Sequence, residues 1–218
     1  MELTMKPDYW DRATRLLSRR DPALRGLIDA YPEIHLRRRS DAFTALARAI
    51  VGQQISVKAA DAVWRRFVTA VDPAHADVAF PAVAPAAVAA LTPDALRNAG
   101  LSQRKAEYMQ DLARRFADGS LNPESWTTLT DEALIEALVA VKGIGRWTAE
   151  MFLMFHELRA DVFPIADLGL QKAIRLHYAG EHPLSLDEMQ ALAETWRPYR
   201  SVATWYLWRS LDPLPVEY

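Results

Sequence analysis

The stretch Val139-Ala-Val-Lys-Gly-Ile-Gly-Arg-Trp-Thr-Ala149 lies between two runs whose apolar residues recur at helical spacing. Gly143 and Gly145, two residues apart, suit a tight hairpin that needs unusual backbone angles and no side chain in the way. Such a hairpin exposes backbone N–H groups, and the helix after it adds the positive end of its dipole. The position favours a phosphate, with Lys142 and Arg146 beside it as assisting cations. A plain corner between two helices, where glycine only relieves strain, has the same local signature, because motifs this short recur by chance. On either reading the stretch joins two helices.

Helical periodicity continues in both directions. Phe43, Leu46, Ala47, Ile50 and Val51 follow it, and so do Val57, Ala60, Val63, Trp64, Phe67 and Val71. Tyr108, Met109, Leu112 and Phe116 repeat the pattern, as do Leu134, Ile135, Leu138 and Val139. Thr92-Pro93 reads as an N-cap followed by proline at the first helical position. Ser185-Leu-Asp-Glu188 reads as a capping box. Only Glu33–Arg37 (EIHLR) alternates weakly like a strand. Residues 72–90, rich in Ala and Pro, read as a surface connector with one short helix, and 161–169 as an extended link before a new helix. The fold class is all-α, with roughly ten to twelve helices of ordinary length.

Composition sets outer limits. With 218 residues, 50% hydrophobic and 25% charged, the chain suits one large domain or two small ones with real cores. It has no cysteine, which excludes disulfides, thiolate nucleophiles, cysteine-ligated zinc and iron–sulfur clusters. Its 5 histidines include no HxxxH or HxH pair. The N-terminus MELTMKPDYWDRATRLL lacks the apolar centre of a signal peptide, and no stretch reaches membrane-spanning length. The expectation is a soluble protein of the cytoplasm, nucleoid-associated if bacterial, monomeric and without a membrane partner. Net charge is 26 − 28 = −2, an unusual balance for a nucleic-acid binder. Cations are nevertheless concentrated in HLRRRS, WRRF, SQRK, KGIGRW and WRPYR, and local patches of this kind can supply a phosphate footprint.

Five blocks together carry a resemblance. AIVGQQISVKAADAV at 49–63, GLSQRKAEYMQDLA at 100–113, VKGIGRWTAEMF at 141–152, DVFPIADLGLQKA at 161–173 and WRPYRSVATWYLWR at 196–209 occur in the order found in the helix-hairpin-helix DNA glycosylases. Within that superfamily the chain resembles the 3-methyladenine DNA glycosylase II (AlkA-type) branch, without the extra N-terminal domain of its longer members. The resemblance implies double-stranded DNA containing damaged bases as partner. It also implies two helical lobes with the active-site cleft between them: a bundle over 40–164 containing the hairpin, and a second lobe from 1–39 plus 165–218.

Site residues follow position by position. Asp167, 167 − 147 = 20 residues after Trp147, stands where the family carries its catalytic aspartate. A fixed carboxylate there stabilises positive charge developing at the sugar C1′ and orients or deprotonates the attacking water. Local sequence alone also reads Asp167 as an ordinary N-cap, and both roles are compatible. Trp147 stands where related lyases carry a Schiff-base lysine, which implies hydrolysis without strand nicking. Its ring, with Tyr199 and Met151, is expected to line a pocket for a flipped cationic base; core packing is the commoner fate of any one aromatic. Gln54, beside Gln53, occupies the wedge position that fills the hole in the duplex, where longer AlkA-type members have leucine. Gly143, Gly145, Lys142 and Arg146 are expected to hold phosphate. No cofactor is required, and the backbone carbonyls of Val139, Val141 and Ile144 are the expected ligands of a structural sodium or potassium ion. Competing readings are an oxidised-purine glycosylase of the same superfamily, a non-catalytic helix-hairpin-helix DNA-binding module, and a structural helical protein.

Overall fold

A computed structural model describes residues 6–75, 78, 81–180 and 182–212. Among these the regular structure is helical and contains no strand. The α-helices are α1 (Trp10–Arg20), α2 (Pro22–Ala30), α3 (Ala42–Gly52), α4 (Val57–Val71), α5 (Pro85–Ala89), α6 (Pro93–Asn98) and α7 (Gln103–Ala117). They continue with α8 (Pro123–Trp126), α9 (Asp131–Val139), α10 (Arg146–Phe155), α11 (Leu168–Tyr178), α12 (Leu186–Glu194) and α13 (Arg200–Leu211). The helix count slightly exceeds expectation because α5, α6 and α8 are only one or two turns long. The alternating segment at 33–37 forms no strand, having no partner strand to complete a ladder.

Caps explain where helices begin. Thr92 accepts from the Ala95 N–H, and Ser56, Ser102 and Thr130 do the same for α4, α7 and α9. Ser185 and Glu188 form the reciprocal capping box expected of α12. Each such side chain satisfies a donor that would otherwise lack a partner at a helix start.

The chain divides into two compact units, one from Arg39 to Phe152 and the other combining residues up to Arg38 with those from Leu153 onward. The first unit buries Phe43, Leu46, Ala47, Ile50 and Val51 of α3, together with Trp64, Phe67 and Val68 of α4. Val57 is 64% exposed, so the apolar pattern of α4 begins about two turns before its first buried residue, Trp64. Edge-to-face contacts link Phe43 to Phe116, Phe116 to Trp126 and Trp126 to Phe152 at centroid distances of 5.2, 6.1 and 5.5 Å. Residues 72–90 are more than a surface connector. Val83 and Val88 are buried, and the Val83 N–H donates to Thr44 Oγ1 at 2.9 Å; residues 76, 77, 79 and 80 lie outside the described set.

In the second unit Trp10, Leu17 and Leu24 pack with Leu170, Ile174, Met189, Trp196, Val202 and Tyr206. Asp21 ties its early and late segments together: Oδ1 caps α2, while Oδ2 accepts from Tyr178 Oη at 2.8 Å and Trp196 Nε1 at 2.9 Å. Helix α13 is buried over Ser201–Leu207 on all sides, so it carries no one-sided apolar stripe. The later unit boundary falls at 152/153 rather than the expected 164/165. Phe155, Leu158, Ala160 and Phe163 pack on this second core, which places the link before α11 with it.

Candidate functional site

In the first unit the segment between α9 and α10 is a tight hairpin closed by the Ile144 N–H donating to the Val141 carbonyl at 3.1 Å. Gly143 has φ +82°, and a Cβ there would lie 2.1 Å from Tyr108 Cδ2. Both facts require glycine. Gly145 differs: its φ is not left-handed and a Cβ would meet nothing within 4 Å, so it needs no unusual angle. Among the described residues, the turn bonds employ the N–H groups of Lys142 and Ile144 and not those of Gly143 and Gly145. The Lys142 side chain is exposed beside them.

Helix α7 grips this hairpin from below. Asp111 is buried, accepts from the Lys142 N–H at 3.0 Å, and is paired with Arg114 and with Arg115 at 3.0 Å. Arg115 also donates to the Ala140 carbonyl at 2.8 Å. Burial opposes ionisation of Asp111, but the Lys142 N–H and the two guanidinium groups outweigh it and hold the carboxyl below the usual carboxylate range. A depressed carboxyl stabilises the fold fully above its unfolded value, and that stability is lost as pH falls through the folded value. Melting curves of Asp111→Asn are therefore expected to show lower stability at neutral pH and a shallower loss below about pH 4 than the parent.

Arg146 does not point an uncommitted cation at the hairpin. It pairs bidentately with Glu132 at 2.7 Å and through Nε with Glu150 at 3.1 Å. The nearby charge is thus shared with two carboxylates. Trp147, on the first turn of α10, is 40% exposed, and Met151 one turn later is buried.

The loop after α3 adjoins the hairpin directly. Gln53 Nε2 donates to the Gly143 carbonyl at 2.8 Å, and Lys105 Nζ donates to the Val51 and Gln53 carbonyls at 2.7 and 2.8 Å. Gln54 is exposed at the loop tip with φ +59°, a left-handed angle costly for a residue with a side chain. Gln53 and Gln54 therefore have different tasks: one is anchored and the other projects.

In the second unit Asp167 is the N-cap of α11. Its Oδ1 accepts from the Leu170 N–H at 2.6 Å and from Trp208 Nε1 at 2.9 Å. The Trp208 ring stacks on Phe155 at 6.0 Å and 8°, and Gly169 leaves space where a Cβ would lie 3.1 Å from Asp167 Oδ1. Leu168 follows at the helix start, 77% exposed. The helix N-terminus and the indole N–H both direct hydrogen-bond donors at this side chain. Trp208 was not singled out by sequence, because one tryptophan among 7 carries no local mark of a carboxylate partner. Tyr199, expected in the base pocket, is buried in the second unit, stacked with Tyr9, and its hydroxyl accepts from Arg12 Nε at 2.6 Å.

The carbonyls of Val139, Val141 and Ile144 lie on or beside the hairpin, and carbonyl oxygen is the donor type that suits a hard monovalent cation. Among the described residues no group of His, Asp and Glu has metal-binding geometry. Nor is any helix long and apolar enough to cross a membrane.

Among the described residues, then, a tight hairpin joins α9 to α10 and a helix-capping aspartate opens α11. Residues 47–198 match the HhH-GPD superfamily of base excision DNA repair proteins, and the chain belongs to it. It is 36% identical over 171 residues to the YfjP protein of Bacillus subtilis, an overlap that covers 78% of this chain and 59% of YfjP. The fold is similar to the crystal structure of a DNA-3-methyladenine glycosidase from Bacillus halodurans, with TM-score 0.81, 31% identity, and coverage of 95% of this chain and 92% of that one. It is also similar to the Schizosaccharomyces pombe 3-methyladenine DNA glycosylase Mag1 in complex with abasic DNA, with TM-score 0.75, 28% identity, and coverage of 94% and 100%.

Proposed function

We propose that this protein is a monofunctional DNA glycosylase that flips alkylated bases of the 3-methyladenine type from duplex DNA and hydrolyses their N-glycosidic bonds, initiating base excision repair. The observation that carries this reading is Asp167, held at the N-terminus of α11 by the Leu170 N–H and the Trp208 indole. A carboxylate so fixed cannot swing away as the sugar acquires positive charge, so its stabilising field is already in place. Asp167 also orients or deprotonates the water that attacks C1′. A cationic alkylated purine is a good leaving group and needs no dedicated general acid. The half-exposed Trp147 supplies an aromatic face for that cation, with Met151 as apolar lining. The names of the similar proteins support the alkylated-base class, and the Mag1 complex with abasic DNA supports DNA as partner.

Gln54 is the wedge in this reading, and Gly143, Gly145 and Lys142 receive the phosphate, with a monovalent cation held by the Val139, Val141 and Ile144 carbonyls supplying added positive charge. Lys142→Ala is expected to lower the slope of log affinity against log salt by about one unit. Glu132→Gln is expected to raise duplex affinity at low salt, because Arg146 then loses its bidentate partner. Unchanged salt dependence in both variants would remove the hairpin from the interface.

Trp147 has no amine, so sodium borohydride is expected to trap no covalent protein–DNA adduct during turnover. Matched duplexes carrying either an alkylated or an oxidised purine test the substrate class. Excision of the alkylated base is the expected result, and excision of the oxidised base alone contradicts the proposal.

A further inference from the structure

The block GLSQRKAEYMQDLA belongs to the sequence resemblance, yet none of its residues has a role in the chemistry above. Its place in the structure supplies one. Lys105, Tyr108, Asp111 and Arg115 recur along one face of α7. Lys105 holds the loop after α3, the Tyr108 ring lies under Gly143, Asp111 holds the Lys142 N–H, and Arg115 holds the Ala140 carbonyl. Gln53 closes the circuit by donating to the Gly143 carbonyl.

Lys105 is poorly placed for its own helix. It sits in the first turn of α7, where the dipole is positive, and half-burial lowers the pKa of its ammonium group. The compensation comes from the other end of the contact: two carbonyls at the C-terminus of α3, where the dipole is negative. The cation is therefore spent on the loop that carries Gln54. That loop needs support, because Gln54 holds a left-handed angle that surrounding contacts must over-determine.

We infer that α7 is a positioning element for base extrusion, its Lys105–Arg115 face fixing the Gln54 loop against the phosphate-binding hairpin so that one supports the other. The inference rests on the reading of Gln54 as wedge and of the hairpin as phosphate site. A wedge displaces a stacked, paired base only if its own loop does not yield, and extrusion costs a few kcal/mol. A loop tied to an element that is itself bound to the DNA backbone transmits that load. Lys105 then acts through Gln54 and touches no reacting atom.

The test uses two duplexes, each with one 7-methylguanine, placed opposite cytosine in one and opposite an abasic analogue in the other. Single-turnover excision is measured for the parent, Lys105→Met, Lys105→Arg, Gln53→Ala and Gln54→Ala, with thermal melting of each protein. Lys105→Met is expected to slow excision opposite cytosine by about tenfold or more and opposite the abasic analogue by less than about threefold, since an unpaired base is cheaper to extrude. Lys105→Arg, which keeps the cation, is expected to restore the paired rate. Gln53→Ala loses only one amide contact and carries the same test if Lys105→Met melts early. Equal losses on both duplexes, or no loss on either, in a folded Lys105 or Gln53 variant overturn the inference. Gln54→Ala separates the two levels. If it spares the paired rate, the wedge reading fails; if it slows that rate selectively while the Lys105 and Gln53 variants do not, only the positioning role fails.

Discussion

Asp167→Asn is expected to lower single-turnover base release by about three orders of magnitude or more while leaving the fold intact. Asparagine caps helices about as well as aspartate, and its side-chain oxygen can still accept from the Leu170 N–H and Trp208 Nε1. The stability change should therefore stay within about 1 kcal/mol, mostly the lost attraction between a charge and the helix dipole. The charge itself is what the reaction requires, because a neutral amide neither balances an oxocarbenium-like sugar nor takes a proton from water. Asp167→Ala separates the two roles from the other side. It removes the cap as well and should cost about 1 kcal/mol more in a denaturant melt. Near-parent turnover by the asparagine variant would reduce Asp167 to a helix cap.

The second large effect concerns stability at the hairpin. Gly143→Ala would place a Cβ 2.1 Å from Tyr108 Cδ2 on a backbone at φ +82°. The left-handed angle costs an alanine about 1–2 kcal/mol, and moving an aromatic ring in a packed site adds about 1–3 kcal/mol. A loss of about 2–4 kcal/mol is expected by urea or thermal melting, with duplex affinity falling by about tenfold or more as the hairpin shifts. Pairing the change with Tyr108→Ala should recover the steric part and not the conformational part. Gly145→Ala is the contrast: with open space around it and no left-handed angle, it should cost less than about 1 kcal/mol. Equal destabilisation at both glycines would contradict this account of the hairpin.

The amino-acid pattern revealed much of this architecture, for physical reasons that differ by element. Helices α3 and α9 were marked by the period of their apolar residues, and α6 and α12 by the short polar caps at their starts. The hairpin was legible because Gly143 has no acceptable substitute, although the same argument does not extend to Gly145. Asp167 was legible locally as a cap, which it is, while its catalytic reading came only from the family resemblance.

What stayed hidden depends on contacts between residues distant in sequence. Trp208 meets Asp167 across 41 positions, and Gln53 meets Gly143 across 90. Glu132, 14 residues before Arg146, is not visibly its partner in a linear reading. Nothing local shows Tyr9 and Arg12 meeting Tyr199. Lys105 carried no signal, since a lysine on a helix is usually a solvated residue.

The central claim, hydrolytic release of alkylated bases by Asp167, is tested most directly on methylated duplex DNA. The DNA is incubated with the parent protein and with Asp167→Asn, and the released material is separated by chromatography. Free 3-methyladenine from the parent, abasic sites left in unbroken strands, and no release by the variant are the predicted results. Equal release by both proteins, or no free base from the parent, would contradict it.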